Sequence, residues 1–64
     1  MTEEKFIHAV KRNSRRLFVI AFSYLKNKHD AEDALQNAFL KLWKSKIEFN
    51  DDLGIDKWLT KVLV

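Results

Sequence analysis

The sequence contains no cysteine, no proline and a single glycine among its 64 residues. Without cysteine, neither a disulfide nor a cysteine metal site can stabilise so short a chain. Glycine and proline form the turns between strands, so their scarcity argues strongly against an all-β fold. A chain of this length buries only about 60% of its unfolded surface, and regular helix packing is a usual way to stabilise it. The composition therefore predicts a small all-α domain.

Long hydrophobic runs are missing as well. The longest apolar stretch, residues 17–22, is far shorter than the roughly 20 residues that cross a bilayer. Glu3 and Glu4 stand near the amino terminus, where a secretory signal would carry basic residues. We therefore expect a soluble intracellular protein with no membrane insertion.

Positive charge is concentrated in the first half of the chain. Residues 1–29 carry seven Lys and Arg against two Glu, whereas residues 30–64 carry five Lys against seven Asp and Glu. Four of the basic residues cluster at Lys11, Arg12, Arg15 and Arg16. Such a cluster is either a solvated helix face or a surface that attracts nucleic acid through counterion release.

The first predicted helix runs from about Glu3 to Lys26, with Thr2 as its N-cap. Asn13-Ser14 is the point where this helix is expected to bend or restart. Residues 17–25 are apolar almost all round, which predicts a central helix contacted by neighbours on several sides. Its expected core stripe is Phe6, Val10, Leu17, Ala21 and Tyr24.

The second predicted helix begins with Asp30 as N-cap. Its core stripe comprises Ala31, Leu35, Ala38, Phe39 and Leu42. The opposite face carries Asp33, Gln36, Asn37, Leu40 and Lys44. One exposed leucine needs no explanation, but Leu40 lies among polar groups with Trp43 beside it. This combination favours an interface patch, because aromatic anchors are enriched in interfaces.

A loop is expected from Ile47 to Gly54, followed by a third helix with Asp56 as N-cap. The apolar positions Ile55, Trp58, Leu59, Val62 and Leu63 have helical spacing. The sequence predicts a three-helix bundle whose short third helix is truncated at Val64, since no residue that ends helices follows.

Catalytic and metal sites find no support in the sequence. His8 and His29 lie in separate segments and have no partner at metal-ligand spacing. The serines lack a nucleophile motif, and no glycine-rich loop is present to hold phosphate. We predict that the chain is not an enzyme and has no cofactor and no metal.

The second helix carries a recognisable motif, D-A-E-D-x-x-Q-x-x-F-x-x-x-W, over residues 30–43. It resembles region 2 of bacterial sigma factors, and more narrowly that of the extracytoplasmic-function class. Flanking segments fit the same pattern: Arg16-Leu17 to Leu25 before the motif, then Phe49 and Trp58-Leu59 after it. The resemblance covers roughly residues 6–64.

The resemblance implies a module of the bacterial RNA polymerase holoenzyme that acts in the cytoplasm. Its second helix would dock on the clamp helices of the β′ subunit, and an anti-sigma factor could occlude that surface. Carried over by position, the polymerase-binding residues are Asp33, Gln36, Asn37, Leu40 and Lys44. Asn37 stands where many relatives have glutamate.

The same resemblance implies binding of the promoter −10 element as a non-template single strand. The loop before the third helix would hold an unstacked base, with carboxylates accepting hydrogen bonds from its amino group. The implied DNA-binding residues are Asn50, Asp51, Asp52, Lys57 and Lys61. Residues 1–64 would form one region 2 domain, without the helix-turn-helix domain of region 4.

Two other functions remain open. The chain could be a helical module whose basic first helix binds nucleic acid without promoter specificity, in which case Arg12, Arg15 and Arg16 matter and Gln36 does not. It could also be an adaptor, similar to an anti-sigma factor or an antitoxin, that masks a helix of its partner.

Overall fold

The computed structural model describes residues 1–63, which form three α-helices. Helix α1 spans Glu3–Leu25, α2 spans Lys28–Lys44 and α3 spans Asp52–Leu63. The predicted small helical bundle is confirmed, with 83% helix and no strand among the described residues. The predicted truncation at Val64 lies outside the described residues.

Helix α1 begins as predicted and is continuous. Thr2 caps it, because its hydroxyl accepts a hydrogen bond from the backbone N–H of Lys5 at 3.2 Å. The expected restart at Asn13-Ser14 is wrong. Both side chains donate to carbonyls four residues earlier, Asn13 to Ala9 and Ser14 to Val10, and so stay compatible with the helix.

Helix α2 begins two residues earlier than predicted. Its N-cap is Asn27, whose side-chain oxygen accepts a hydrogen bond from the backbone N–H of Asp30 at 3.0 Å. Asp30 lies inside the first turn, where its charge favours the helix dipole. The assignment of Asp30 as N-cap is therefore corrected.

Helix α3 also begins earlier than the sequence suggested. The loop is confined to residues 45–51, and the carboxylate of Asp51 accepts from the backbone N–H of Gly54 at 2.9 Å. Asp51 thus has the capping role that was predicted for Asp56. Asp56 lies within α3 and faces α1.

Helices α1 and α2 are antiparallel, whereas α1 and α3 are parallel. A two-residue link joins α1 to α2, and the ring of Phe6 near the start of α1 contacts Trp43 near the end of α2. Arg12 bonds to residues 52 and 56 of α3, and Arg16 bonds to residues 56 and 60. The core between the helices is Ala9, Leu17, Ala38, Phe39, Leu42, Ile55 and Leu59.

The carboxyl-terminal third of α1 is not surrounded by neighbours, contrary to prediction. Leu17 and Ala21 are buried, but Val19, Phe22, Tyr24 and Leu25 are exposed. The position of α3 explains this, because its described residues run beside only the earlier turns of α1. Tyr24 therefore does not belong to the core stripe.

Candidate functional site

The outer face of α2 carries the residues that the family resemblance implied for polymerase binding. All five predicted polymerase-binding side chains are exposed: Asp33, Gln36, Asn37, Leu40 and Lys44. Leu40 leaves 49% of its surface accessible, even though it is a large apolar residue. The buried stripe of Ala31, Ala38, Phe39 and Leu42 fixes the orientation of this face.

An apolar groove adjoins this face, between the first half of α1 and the second half of α2. Its volume is about 580 Å³. Three exposed apolar side chains line it, Ile7 from α1 with Leu40 and Trp43 from α2. Gln36 and Leu40 line the groove as well as the outer face, so the two surfaces are continuous. The full lining is Glu3, Phe6, Ile7, Val10, Gln36, Phe39, Leu40 and Trp43.

Trp43 has both a packing contact and an exposed edge. Its ring meets Phe6 edge to face, with centroids 4.9 Å apart. The remaining 46% of its surface is accessible at the groove. The sequence pattern placed Trp43 beside Leu40, but no local pattern connects Ile7 of α1 with these two residues of α2.

The second predicted surface is the loop before α3. Residues 45–51 connect α2 to α3, and Phe49 anchors the loop through an edge-to-face contact with Trp58 at 6.1 Å. A cavity of about 570 Å³ lies between this loop and the first turns of α1 and α3. Asn50, Asp51 and Asp52, the residues that the resemblance implied for a base pocket, are among those that line it.

Two of these residues have other partners within the protein. Asp51 caps α3 through its bond with Gly54. A carboxylate oxygen of Asp52 lies 3.6 Å from Arg12 and 3.9 Å from His8. Asn50 is exposed and makes no side-chain hydrogen bond within residues 1–63.

Arg12 joins α1 to α3. It donates to the carboxylate of Asp56 at 2.5 Å and to the backbone carbonyl of Asp52 at 3.2 Å. The hydrogen bond between Arg12 and Asp56 raises the pKa of Arg12 and lowers the pKa of Asp56. In both cases desolvation opposes the shift. Both groups are therefore ionised at neutral pH, and the pair fixes the position of α3 on α1.

The basic cluster of α1 is only partly available to an external partner. Arg12 is bound to α3, and Arg16 donates to the hydroxyl of Thr60 at 2.6 Å and to Asn13 at 2.7 Å. Lys11 and Arg15 are exposed. A nonspecific nucleic-acid surface built on this cluster would thus have two of its four charges engaged in holding α3.

Lys57 and Lys61 lie one turn apart on the exposed side of α3. They line a shallow hollow between α1 and α3, beside Arg16 and Thr60. Both side chains are exposed, so their ammonium groups are accessible to an external anion.

Residues 1–63 hold no cluster of three or more His, Asp or Glu side chains that could bind a metal ion. No helix in this range is long and apolar enough to span a bilayer.

Fold and site together define a small helical domain with an apolar groove, a mixed polar face that adjoins it, and a cavity at the loop before α3. The model of the sigma-70 region 2 family matches residues 9–64. This match covers most of the chain, and the chain therefore belongs to the sigma-70 region 2 family. The comparison with curated proteins gives no match, and the comparison with solved structures gives none either.

Membership of the family establishes the general role of the chain. Region 2 is a domain of transcription factors and not of a catalytic family, and it acts in sigma-dependent transcription initiation. Its partners in general are the core RNA polymerase and promoter DNA.

Proposed function

We propose that the outer face of α2 is the surface that docks on the clamp helices of the β′ subunit. The observation that carries this proposal is the exposed Leu40, with Gln36 and Asn37 beside it on a helix whose other side is buried. An apolar side chain surrounded by hydrogen-bonding groups suits recognition of a helical partner.

The groove extends this docking face onto α1. Ile7 and Trp43 lie beside Leu40 and expose nearly half of their surfaces, so a partner helix seated on α2 would bury them as well. Burial of such side chains is the principal source of binding free energy in interfaces. The proposed docking surface therefore combines α2 with the first turns of α1.

The loop and α3 form the proposed DNA side. Asn50, Asp51 and Asp52 line the loop cavity, and Lys57 with Lys61 would contact phosphates of the promoter −10 element. Since Asp51 and Asp52 already have partners in the protein, the amide of Asn50 is the better candidate for a contact with a base edge.

The extracytoplasmic-function class, a cytoplasmic location and a regulating anti-sigma factor belong to the same proposal. The resemblance of the D-A-E-D-x-x-Q motif to the region 2 of this class supports them. Residues 1–64 would act as one region 2 domain. An anti-sigma factor would compete for the face of α2.

Titration of the chain against core RNA polymerase tests the proposal. Leu40→Asp places a charge in the docking face and should weaken binding at least about tenfold, since interface anchors contribute on the order of 2 kcal/mol or more. Leu53→Asp is the matched control, because Leu53 is at least as exposed, at 58%, but lies on α3. Equal binding by the two variants would contradict the proposed docking face.

A further inference from the structure

The side of α1 that faces away from the bundle core carries a line of exposed residues. They follow one another at intervals of three or four positions, so they lie on one face of the helix. The buried residues Ala9, Leu17 and Ala21 occupy the opposite face. We call this surface the outer stripe. It comprises Lys11, Arg15, Val19, Phe22 and Lys26, the last of which is the C-cap of α1.

The centre of the outer stripe is apolar. Val19 exposes 60% of its surface and Phe22 exposes 42%. The two residues are three positions apart, so their side chains are neighbours on the helix and form one patch. The ring of Phe22 also lies beside that of Phe18, with centroids 5.9 Å apart, which supports it on the helix surface. Adjoining apolar side chains that remain exposed mark interaction surfaces, whereas single ones do not.

Cations lie on both sides of this apolar centre. Arg15 is one turn before Val19, Lys11 is two turns before it, and Lys26 is one turn after Phe22. Within residues 1–63, none of these three cations forms an ion pair. The sequence from residue 5 to residue 29 contains no Asp or Glu, so α1 has no carboxylate beside them. The outer stripe is therefore an apolar patch between two positive ends.

This charge distribution selects the kind of partner. A second copy of the chain, packed helix against helix, would bring cations together in either orientation, because both ends of the stripe are positive. A phosphate backbone would pair with the cations but would not bury the apolar centre. A helix with apolar residues in its middle and carboxylates toward both ends satisfies the patch and the cations at once.

We propose that the outer stripe of α1 docks an acidic amphipathic helix of a partner protein. Val19 and Phe22 would pack against the apolar residues of that helix, and the three cations would pair with its carboxylates. From Lys11 to Lys26 the stripe is about 22 Å long, which matches a helix of about four turns. The proposal goes beyond the proposed function, because no residue of the outer stripe belongs to α2 or lines the groove.

Fluorescence anisotropy with labelled synthetic helices tests this. The probe is an alanine-based helical peptide of about four turns, with leucines in its middle turns and glutamates in its end turns. One matched peptide has lysines in place of the glutamates, and another has alanines in place of the leucines. The wild-type chain should bind the leucine–glutamate peptide at least about tenfold more tightly than either matched peptide, because the contact needs both parts.

Variants of the chain locate the contact. Arg15→Glu reverses one charge of the stripe and Phe22→Ser removes its largest apolar side chain, and each should weaken peptide binding about tenfold. Lys46→Glu and Leu53→Ser are the matched controls, because both residues are exposed and lie outside α1. Circular dichroism checks that all variants are folded. Val19→Ser is a second apolar variant, in case the loss of the Phe22 ring disturbs the helix.

Self-association and binding to core polymerase are measured on the same samples. The chain should sediment as a monomer, and the stripe variants should bind polymerase as the wild type does. Equal binding of the three peptides, or equal effects of stripe and control variants, would overturn the proposal. A dimer that Phe22→Ser dissociates would also overturn it and assign the stripe to a second copy. Loss of polymerase binding in the wild-type chain would count against the proposed function alone.

Two further ligands complete the comparison. Vesicles that contain anionic phosphatidylglycerol and a single-stranded thymidine oligomer are titrated against the wild-type chain and Arg15→Glu. The account predicts that the leucine–glutamate peptide binds more tightly than either. Tighter binding to the vesicles or to the oligomer, lost in Arg15→Glu, would overturn the acidic helix as the occupant of the stripe.

Discussion

Arg12 of α1 and Asp56 of α3 form a hydrogen-bonded ion pair 44 residues apart in the sequence, with donor and acceptor 2.5 Å apart. Each side chain keeps little more than a quarter of its surface accessible. The pair holds α3 parallel to α1, and α3 in turn sets the position of the loop and of Lys57 and Lys61. The ion pair thus supports the whole proposed DNA side of the molecule.

Removing this pair should destabilise the fold. Asp56→Asn leaves the partly buried guanidinium of Arg12 without its counter-charge, and we expect a loss of about 2 kcal/mol in the free energy of unfolding. Urea denaturation followed by circular dichroism measures this. Asp52→Asn is the control, since its more exposed and more distant carboxylate should contribute less than about 1 kcal/mol. Equal losses in the two variants would contradict the special role of Asp56.

The same pair predicts a pH dependence. The pKa of Asp56 is lowered from its ordinary value of 3.8 by the hydrogen bond from Arg12, so its stabilising contribution is present above that value. The contribution is lost as the pH falls through the lowered pKa. The stability difference between wild type and Asp56→Asn should therefore be constant from pH 7 to 5 and shrink below about pH 4. A difference that stays constant down to pH 2 would show that the carboxylate does not titrate as described.

Asn13 is a buried polar residue in the core face of α1. It is 1% exposed, donates to the carbonyl of Ala9 at 2.8 Å and accepts from Arg16 at 2.7 Å. We expect Asn13→Ala to cost about 1–2 kcal/mol of stability, because both bonds and the packing of the amide are lost. Asn37→Ala, on the exposed face of α2, should leave the unfolding midpoint unchanged and weaken polymerase binding instead. Thermal unfolding and a binding titration on both variants separate the two effects.

Ile7 tests whether the docking surface includes α1. Ile7→Ser should weaken binding to core polymerase at least about fivefold while changing stability little, because 44% of the side chain is already accessible. Val19→Ser is the matched control, an exposed β-branched residue at the other end of α1. Unchanged binding of Ile7→Ser would restrict the docking surface to α2.

Much of the fold follows from local sequence patterns. The helical period of Ala31, Ala38 and Leu42 predicted the buried stripe of α2, and with it the exposed position of Leu40. Two N-caps were misassigned because several Asp and Asn residues lie close to the starts of α2 and α3, some before the helix and some inside it, and any of them has the chemistry of a cap. Only the observed bonds identify Asn27 and Asp51.

The relationships between distant residues could not be predicted. No local pattern pairs Arg12 with Asp56, and an isolated basic cluster on α1 has the same sequence signature as a nucleic-acid surface. Likewise, the groove that combines Ile7 with Leu40 depends on the antiparallel packing of α1 and α2. The exposed apolar end of α1 depends on where along α1 the described residues of α3 pack, which hydrophobicity alone does not specify.

Titration with an isolated fragment of the β′ clamp helices tests the central claim most directly. Wild type, Gln36→Ala and Arg15→Ala are compared by calorimetry, because Gln36 lies on the docking face and Arg15 on the exposed basic side of α1. The account predicts binding by wild type and Arg15→Ala, and a loss of at least about tenfold for Gln36→Ala. Binding that is lost with Arg15→Ala but kept with Gln36→Ala, or no binding by the folded wild-type chain, would contradict it.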